Sequence, residues 1–286
     1  MKKVIGYSLF TIITGIFFLY YYFPAKTAAN LLKYQLRKYI PDLVFNMDSL
    51  MPVFPPGIEI KKFAVNDKNN TIFESKFLRV KPDFISILKA KPEIIFSSRA
   101  YSGDLKGDIT VGIKSKDYPI DINFKWRNIM LTEISALNEF SKRITGLCAG
   151  NLKFKGLRSN LIDGTGNIEI KLSDGKIILE QSLLNLIKEF QYKSFEAVAN
   201  YKEKTITIEQ GTLNGDIEAK LSGKINIRTP FEYSILDITG KIRPSASFQK
   251  EKNLPFGSFL KPEMLKKGIP INIKGTISRP SMKLMP

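Results

Sequence analysis

The stretch TITIEQGTLNGDIEAKLSGKINI, Thr205–Ile227, decides the fold class, because apolar side chains recur at every second position on both sides of a glycine-containing spacer. A period of two sends successive side chains to opposite faces of a β-strand. The stretch therefore predicts two consecutive strands, each with one dry and one wet face. The alternating apolar positions are Ile206, Ile208, Ile217, Ala219, Leu221, Ile225 and Ile227.

The same alternation recurs along most of the chain after Gly57. Glycine pairs with short polar spacers separate several of these segments, and glycine permits tight turns, bulges and close approach of two backbones. GDLKG and GTGN are read as turns, since neither has the lysine-serine pair of a phosphate-binding loop. The pattern predicts a meander of antiparallel strands. Further alternating positions are Ile120, Ile122, Phe124 and Trp126, then Ile168, Ile170 and Leu172, then Ile269, Ile271 and Ile273; the glycine pairs are Gly103 and Gly107, Gly164 and Gly166, and Gly211 and Gly215.

Few helices interrupt the strands. Apolar spacing predicts one near Leu131–Ile144, with Ile134, Leu137 and Phe140 on one face, one near Leu183–Phe190, and a short turn at Asp83–Leu88. The fold class is mainly β with a few short helices. Such helices are too few to cover a long sheet, so the sheet must close, fold over itself or leave an apolar trough.

Two interpretations of the apolar faces stay open. They form either an ordinary sandwich core or a groove that holds an acyl chain, which gains about 0.8 kcal/mol per buried methylene. The candidate positions for groove or core are Ile120, Ile122, Phe124, Ile168, Ile170, Leu172, Ile217, Leu221, Ile225 and Ile227.

The N-terminus predicts a membrane anchor over Val4–Phe23. This uncharged stretch has the length that spans a hydrocarbon core of about 30 Å, tyrosines cluster at its end, and Pro24 follows. A cleaved signal peptide is the rival, and Ala25 and Thr27 leave it open. The anchor positions are Val4, Ile5, Leu9, Ile12, Ile13, Ile16, Phe17, Leu19, Tyr20 and Phe23.

The flanking charges do not favour a periplasmic C-terminus, because basic residues stand on both sides of the anchor. After it, Ala28, Leu32, Leu36 and Tyr39 predict an amphipathic helix that lies on lipid headgroups or packs under the following domain. The predicted organisation is a tail at 1–3, an anchor at 4–23, an amphipathic segment at 24–51 and a β-rich domain at 52–286.

The composition of the chain limits the kinds of partner and site that it can have. A net charge of +17 favours an anionic partner, nucleic acid or lipid, although scattered lysines also fit a solvated surface. The chain has no histidine, and Cys148 is its single cysteine, which is expected to be a small buried apolar residue. No catalytic motif is recognisable. We therefore expect a non-enzymatic protein without cofactor or metal, and no nucleic acid partner.

Three stretches carry a resemblance to a known family. Thr205–Ile227 resembles the repeating strand, glycine turn and strand of the AsmA-like envelope proteins. INIKGTISRPSMKL, Ile271–Leu284, is similar to their closing strand, and Phe77–Gly107 resembles their strand, short helix and strand order. With the anchor and the FPPGIEI segment at Phe54–Ile60, the whole arrangement is most similar to the type II secretion system protein N family.

The resemblance implies a fold, a place and a role. The fold is an elongated curved sheet with an apolar concave face, and the place is the bacterial inner membrane with the bulk of the chain in the periplasm. The role is an accessory or structural component of type II secretion that contacts other secretion subunits. The alternative is lipid binding or lipid transfer, with phospholipid in the groove. The resemblance supplies no catalytic residue.

Overall fold

A computed structural model describes residues 2–54, 57–67, 70–88, 91–112, 117–134, 143–183, 187–251 and 267–284. The helices are α1 (Lys2–Tyr21), α2 (Ala25–Tyr39), α3 (Phe84–Leu88) and α4 (Ala246–Glu251). The strands are β1 (Leu43–Asn46), β2 (Ser49–Val53), β3 (Gly57–Asp67), β4 (Asn70–Asp83), β5 (Glu93–Ala100), β6 (Gly103–Val111), β7 (Pro119–Met130), β8 (Leu147–Leu157), β9 (Asn160–Leu183), β10 (Ile187–Lys202), β11 (Thr205–Gly215), β12 (Ile217–Asn226), β13 (Ile235–Pro244), β14 (Ile269–Thr276) and β15 (Pro280–Leu284).

The strands form one 15-stranded sheet in which neighbours in sequence are neighbours in space. From β3 to β15 each strand pairs antiparallel with the next, while β1 and β2 both pair with β3 at the other edge. The sheet is long, curved and open. The prediction of a mainly β, antiparallel meander is confirmed.

The helix predicted at Leu183–Phe190 is wrong, because β9 runs to Leu183 and β10 begins at Ile187. Ile187 and Phe190 are both buried although they lie three residues apart. A register shift between Ile187 and Glu189 changes the phase of the alternation, so a strand acquires helix-like spacing.

The other helical predictions fare differently. The turn at Asp83–Leu88 is confirmed as α3. Leu131–Glu133 forms a single 3₁₀ turn, and most of the predicted helix, including Leu137 and Phe140, lies outside the described residues.

The glycines read as turns lie inside strands. Gly103 and Gly107 are in β6, and Gly164 is in β9, so the turn interpretation of GDLKG and GTGN is wrong. A Cβ on Gly107 would stand 2.5 Å from the Phe96 ring, and one on Gly150 would overlap the Trp126 ring. These glycines make room for aromatic rings from neighbouring strands. Glycine here serves close packing between strands and not a turn.

The amphipathic helix α2 covers the first strands of the sheet. Ala29, Met47, Leu50 and Ile60 form a buried cluster between α2 and the strands, while Tyr34 on the outer side of α2 is exposed. Of the two interpretations of this helix, the structure shows packing against the β domain.

The N-terminal anchor segment is helical as α1, which ends at Tyr21. Within the described residues, no helix combines the length and the apolarity needed to cross a membrane. The membrane-spanning part of the prediction therefore has no support from the structure. Among the anchor positions, the side chains of Leu9, Ile12, Ile13, Ile16 and Leu19 lie outside the described residues.

A Gly107→Ala substitution should destabilise the protein by about 1–3 kcal/mol, because the added methyl meets the Phe96 ring and the Asn123 carbonyl. Gly211→Ala is the matched control, since its nearest neighbour is Leu221 Cβ at 3.4 Å, an ordinary contact. Urea unfolding of both variants checks this. Equal losses at the two glycines would contradict the ring-packing explanation.

Stability should fall as pH rises from about 10 towards 12. Burial, and then the nearby Cys148 and Asp174, raise the pKa of Tyr192 to about 12, above its usual value of 10.0. The unfolded chain thus releases this proton at lower pH than the folded one, and stability present below pH 10 is lost above it. Tyr192→Phe should make the free energy of unfolding, measured with urea at pH 9 and pH 11, less dependent on pH. At neutral pH the variant should lose about 1 kcal/mol of stability, because it lacks the 2.6 Å hydrogen bond from Tyr192 Oη to the Thr145 carbonyl. An unchanged dependence on pH would contradict it.

Candidate functional site: an apolar trough along the sheet

The register places one unbroken row of apolar or small side chains across the sheet, here called the middle row. Directly paired residues of antiparallel strands point to the same face, so successive pairings trace this row from β2 to β15. Ser98 is its one polar member, and it turns its hydroxyl to the Phe77 carbonyl at 2.6 Å. The middle row is Leu50, Ile60, Leu78, Ser98, Leu105, Trp126, Gly150, Ile170, Ala197, Gly211, Leu221, Gly240, Ile271 and Leu284.

Two more rows run parallel to the middle row on the same face. The second row is Pro52, Ile58, Val80, Phe96, Gly107, Phe124, Leu152, Ile168, Ala199, Ile208, Gly223, Ile238, Ile273 and Met282. The third row is Pro82, Ile94, Ile109, Ile122, Phe154, Gly166, Tyr201, Ile206, Ile225, Leu236, Gly275 and Pro280. We call the face formed by the three rows the trough. With strands about 4.8 Å apart, it runs for about 60 Å along the sheet.

The opposite face is polar, and its charges pair across strands. Arg79 Nε lies 2.7 Å from Glu59 Oε2, and Lys171 Nζ lies 3.1 Å from Glu196 Oε1, each pair joining directly opposed residues. Asn123 donates to Asp108 at 2.6 Å in the same way. Exposed pairs of this kind add about 0–1 kcal/mol each. Their main effect is to keep this face of the sheet in water.

The trough is most exposed along one side. The third row lies nearest to one set of turns, those that follow β2, β4, β6, β8, β10, β12 and β14. None of the side chains in this row is fully buried. Towards the other turns, the paired residues Leu213, Ala219, Ile242 and Ile269 are all buried. We call the first set of turns the open rim and the second set the opposite rim. The trough is accessible from the open rim.

Every position predicted for groove or core lies on this face or at its end. Phe124 and Ile168 belong to the second row, Ile122 and Ile225 to the third, and Ile170 and Leu221 to the middle row. Ile120 pairs with Val111 and Gly156, Leu172 with Cys148 and Phe195, and Ile217 with Pro244. Ile227 lies just beyond β12.

The alternation revealed Phe124 and Trp126, but it did not reveal the other aromatic members of the trough, Phe96, Phe154 and Tyr201. Phe96 stacks on Phe124 at 5.8 Å between ring centroids, and Phe154 lies 6.0 Å from Tyr201. Phe96 sits in EIIFSSRA, where Ile94 and Ile95 stand side by side and blur the period of two. Only the pairing with β4 and β6 shows which face Phe96 takes.

Trp126, the single tryptophan of the chain, lies in the middle row beside the single cysteine. Its Nε1 donates to Cys148 Sγ at 3.2 Å, and burial raises the pKa of the Cys148 thiol. A raised thiol pKa reduces the thiolate fraction and with it the reactivity. Cys148 thus behaves as part of the packing, and Trp126 is a natural optical reporter of the trough.

Two clefts lie beside the polar face. One of about 660 Å³ is lined by Lys220 and Lys241, which are directly opposed, and by Arg243, which pairs with Glu218. The other, of about 540 Å³, lies between Tyr20 of α1 and strands β2, β4 and β5. In the described part of the chain, no group of three or more cysteine or carboxylate side chains is placed to hold a metal ion.

Comparison with known proteins gives no match. No family model, no curated protein and no solved structure is similar to this chain at a significant level.

Cys148 should react with iodoacetamide at pH 8 at least about tenfold more slowly than an exposed thiol, because its thiolate fraction and its access are both reduced. Lys153→Cys in a Cys148→Ser background is the control, since Lys153 is exposed on the polar face of the same strand. Mass spectrometry of timed samples measures both rates. A Cys148 that reacts as fast as the control would show that the thiol is open to solvent.

Proposed function

We propose that this protein binds the acyl chains of phospholipid in the trough, as a non-enzymatic protein of the bacterial inner membrane with its β domain in the periplasm. The observation that carries the proposal is the register, which keeps three apolar rows on one face across nearly the whole sheet. A sandwich core would need a second layer over this face. Within the described residues, α2 covers the β1–β2 end and the short helix α4 packs Phe248 against Ile242 and Ile269 near the other end, so the helices cover only parts of the face.

The chemistry of the trough suits an acyl chain and little else. Its lining is aliphatic and aromatic, and the polar groups near it, such as Ser98 and Tyr201, already bond to backbone carbonyls. Each methylene that leaves water gains about 0.8 kcal/mol, so about ten methylenes outweigh the few kcal/mol lost in ordering the chain. The site therefore favours ligands that are long and apolar.

Helix α1 supports a place at a membrane. Its exposed side chains are large and apolar on more than one side of the helix, among them Ile5 and Tyr7, which are 64% and 72% exposed and point in nearly opposite directions. A helix that is apolar on several sides is stable in lipid or in a protein core. We propose that α1 holds the protein at the bilayer.

Lipid with a brominated acyl chain should quench Trp126 fluorescence, because the indole lies in the middle row of the trough. Ile168→Lys places a charge in the second row and should reduce the quenching at least about fivefold, since burial of an unpaired ammonium beside a lipid chain is unfavourable. Asn167→Lys is the matched control, because Asn167 is the adjacent residue on the polar face. Its quenching should stay within about twofold of the unchanged protein.

Native mass spectrometry of the detergent-extracted protein provides a second readout. Phospholipid should remain bound to the unchanged chain and to Asn167→Lys, and be lost from Ile168→Lys. Absence of quenching and of bound lipid in the unchanged protein would overturn the proposal.

We also propose an accessory role in type II secretion as a second function. It rests on the resemblance to the type II secretion system protein N family, which spans the chain, and on the strand, short helix and strand order at Phe77–Gly107, which forms as β4, α3 and β5. Deletion of the gene should reduce the amount of exported enzyme in the medium, and pull-down should recover a secretion subunit. Unchanged export with no recovered subunit would overturn this role.

A further inference from the structure

Outside residues 2–39, the described apolar side chains that stand most exposed lie on the open rim. Phe54 follows β2 and is 84% exposed, Ile85 follows β4 and is 62% exposed, and Tyr233 lies between β12 and β13 and is 54% exposed. Ile162, beside the turn after β8, is 52% exposed. On the opposite rim, the corresponding exposed residues Ile72 and Met130 reach 42% and 37%. Large exposed apolar groups that recur along one edge mark an interaction surface.

The same rim carries a basic residue in each of its last four turns. These residues are Arg158, Lys204, Arg228 and Arg279, and all are exposed. Exposed apolar and basic side chains on one rim fit a surface that is both apolar and anionic. A bilayer containing anionic phospholipid has both properties, and each basic residue near such a surface adds to the attraction.

Helix α1 joins the sheet at this rim. Tyr20 Oη donates to the Val53 carbonyl at 2.7 Å, immediately before Phe54. The apolar helix and the exposed apolar turns are therefore continuous with each other. The trough is also most accessible along this side, since none of the third-row side chains is fully buried.

We propose that the open rim rests on the surface of an anionic phospholipid bilayer, so that the trough exchanges lipid with the membrane along its long side. Phe54, Ile85, Ile162 and Tyr233 enter the interfacial layer, and the four basic turn residues bind lipid phosphates. The inference rests on the proposed function, because the rim matters as the route by which lipid reaches the trough.

Site-specific labels in the full chain test this, because the proposed role of α1 is to hold every variant on the vesicle. In a Cys148→Ser background, single cysteines at Phe54, Ile162 and Tyr233 carry an environment-sensitive fluorophore, with Ile72→Cys and Met130→Cys as opposite-rim controls. The vesicles contain phosphatidylcholine and phosphatidylglycerol in a 3:1 ratio, with or without a lipid that bears a spin label near its headgroup.

Open-rim labels should shift to the blue and be quenched by the spin-labelled lipid at least threefold more than the control labels. Charge reversal of Arg158, Lys204, Arg228 and Arg279 together should halve this quenching or reduce it further, whereas reversal of Lys153 on the polar face should not change it. Equal quenching at both rims, quenching at neither rim, or failure of the protein to bind vesicles would each overturn the proposal.

The two proposals fail in distinguishable ways. If the open-rim labels stay in water while brominated lipid still quenches Trp126, the trough binds lipid but the rim is not its route. If the labels enter the bilayer and Trp126 is not quenched, the rim docks on lipid and the trough does not hold it.

Discussion

Strict pairing of alternating strands is the constraint on which the structure depends. Because side chains alternate with a period of two, a slip of one residue in any pair would send an apolar strand face into water. The polar face resists such slips, since Arg79 with Glu59 and Lys171 with Glu196 are opposed only in the observed register. The apolar face and the polar face thus both favour the same register from β2 to β15.

Aromatic rings complete the apolar face by covering glycines. Phe96 and Phe124 lie on either side of Gly107, and Trp126 lies over Gly150, so a large side chain on one strand fills the space left by a missing one on the next. A strand of large residues alone would crowd a curved sheet on its apolar side. The alternation of ring and glycine lets this face stay continuous.

The strands and their two-sided character were predictable from the sequence, because Ile120–Trp126 and Thr205–Ile227 each carry their period within a few residues. The positions of the glycines were readable, yet their role was not, since only the neighbouring strand shows that Gly107 receives a ring. A register shift hid the start of β10, where Ile187 and Phe190 imitate a helix. Register and shifts depend on partners far along the chain, and local spacing carries no information about them.

The difference between the two rims is the property that local patterns predict least and that matters most for the proposed function. If the apolar face were buried equally towards both rims, it would be the core of a two-layer fold. Here burial decreases from Leu213 and Ile269 towards the third row, and the turns beyond that row carry Phe54, Ile162 and Tyr233 exposed beside basic residues. Apolar surface left exposed on one side alone marks a site of interaction with another apolar surface. The proposed bilayer along the open rim would supply that surface for the turns and for the accessible side of the trough together, so a single surface would account for both.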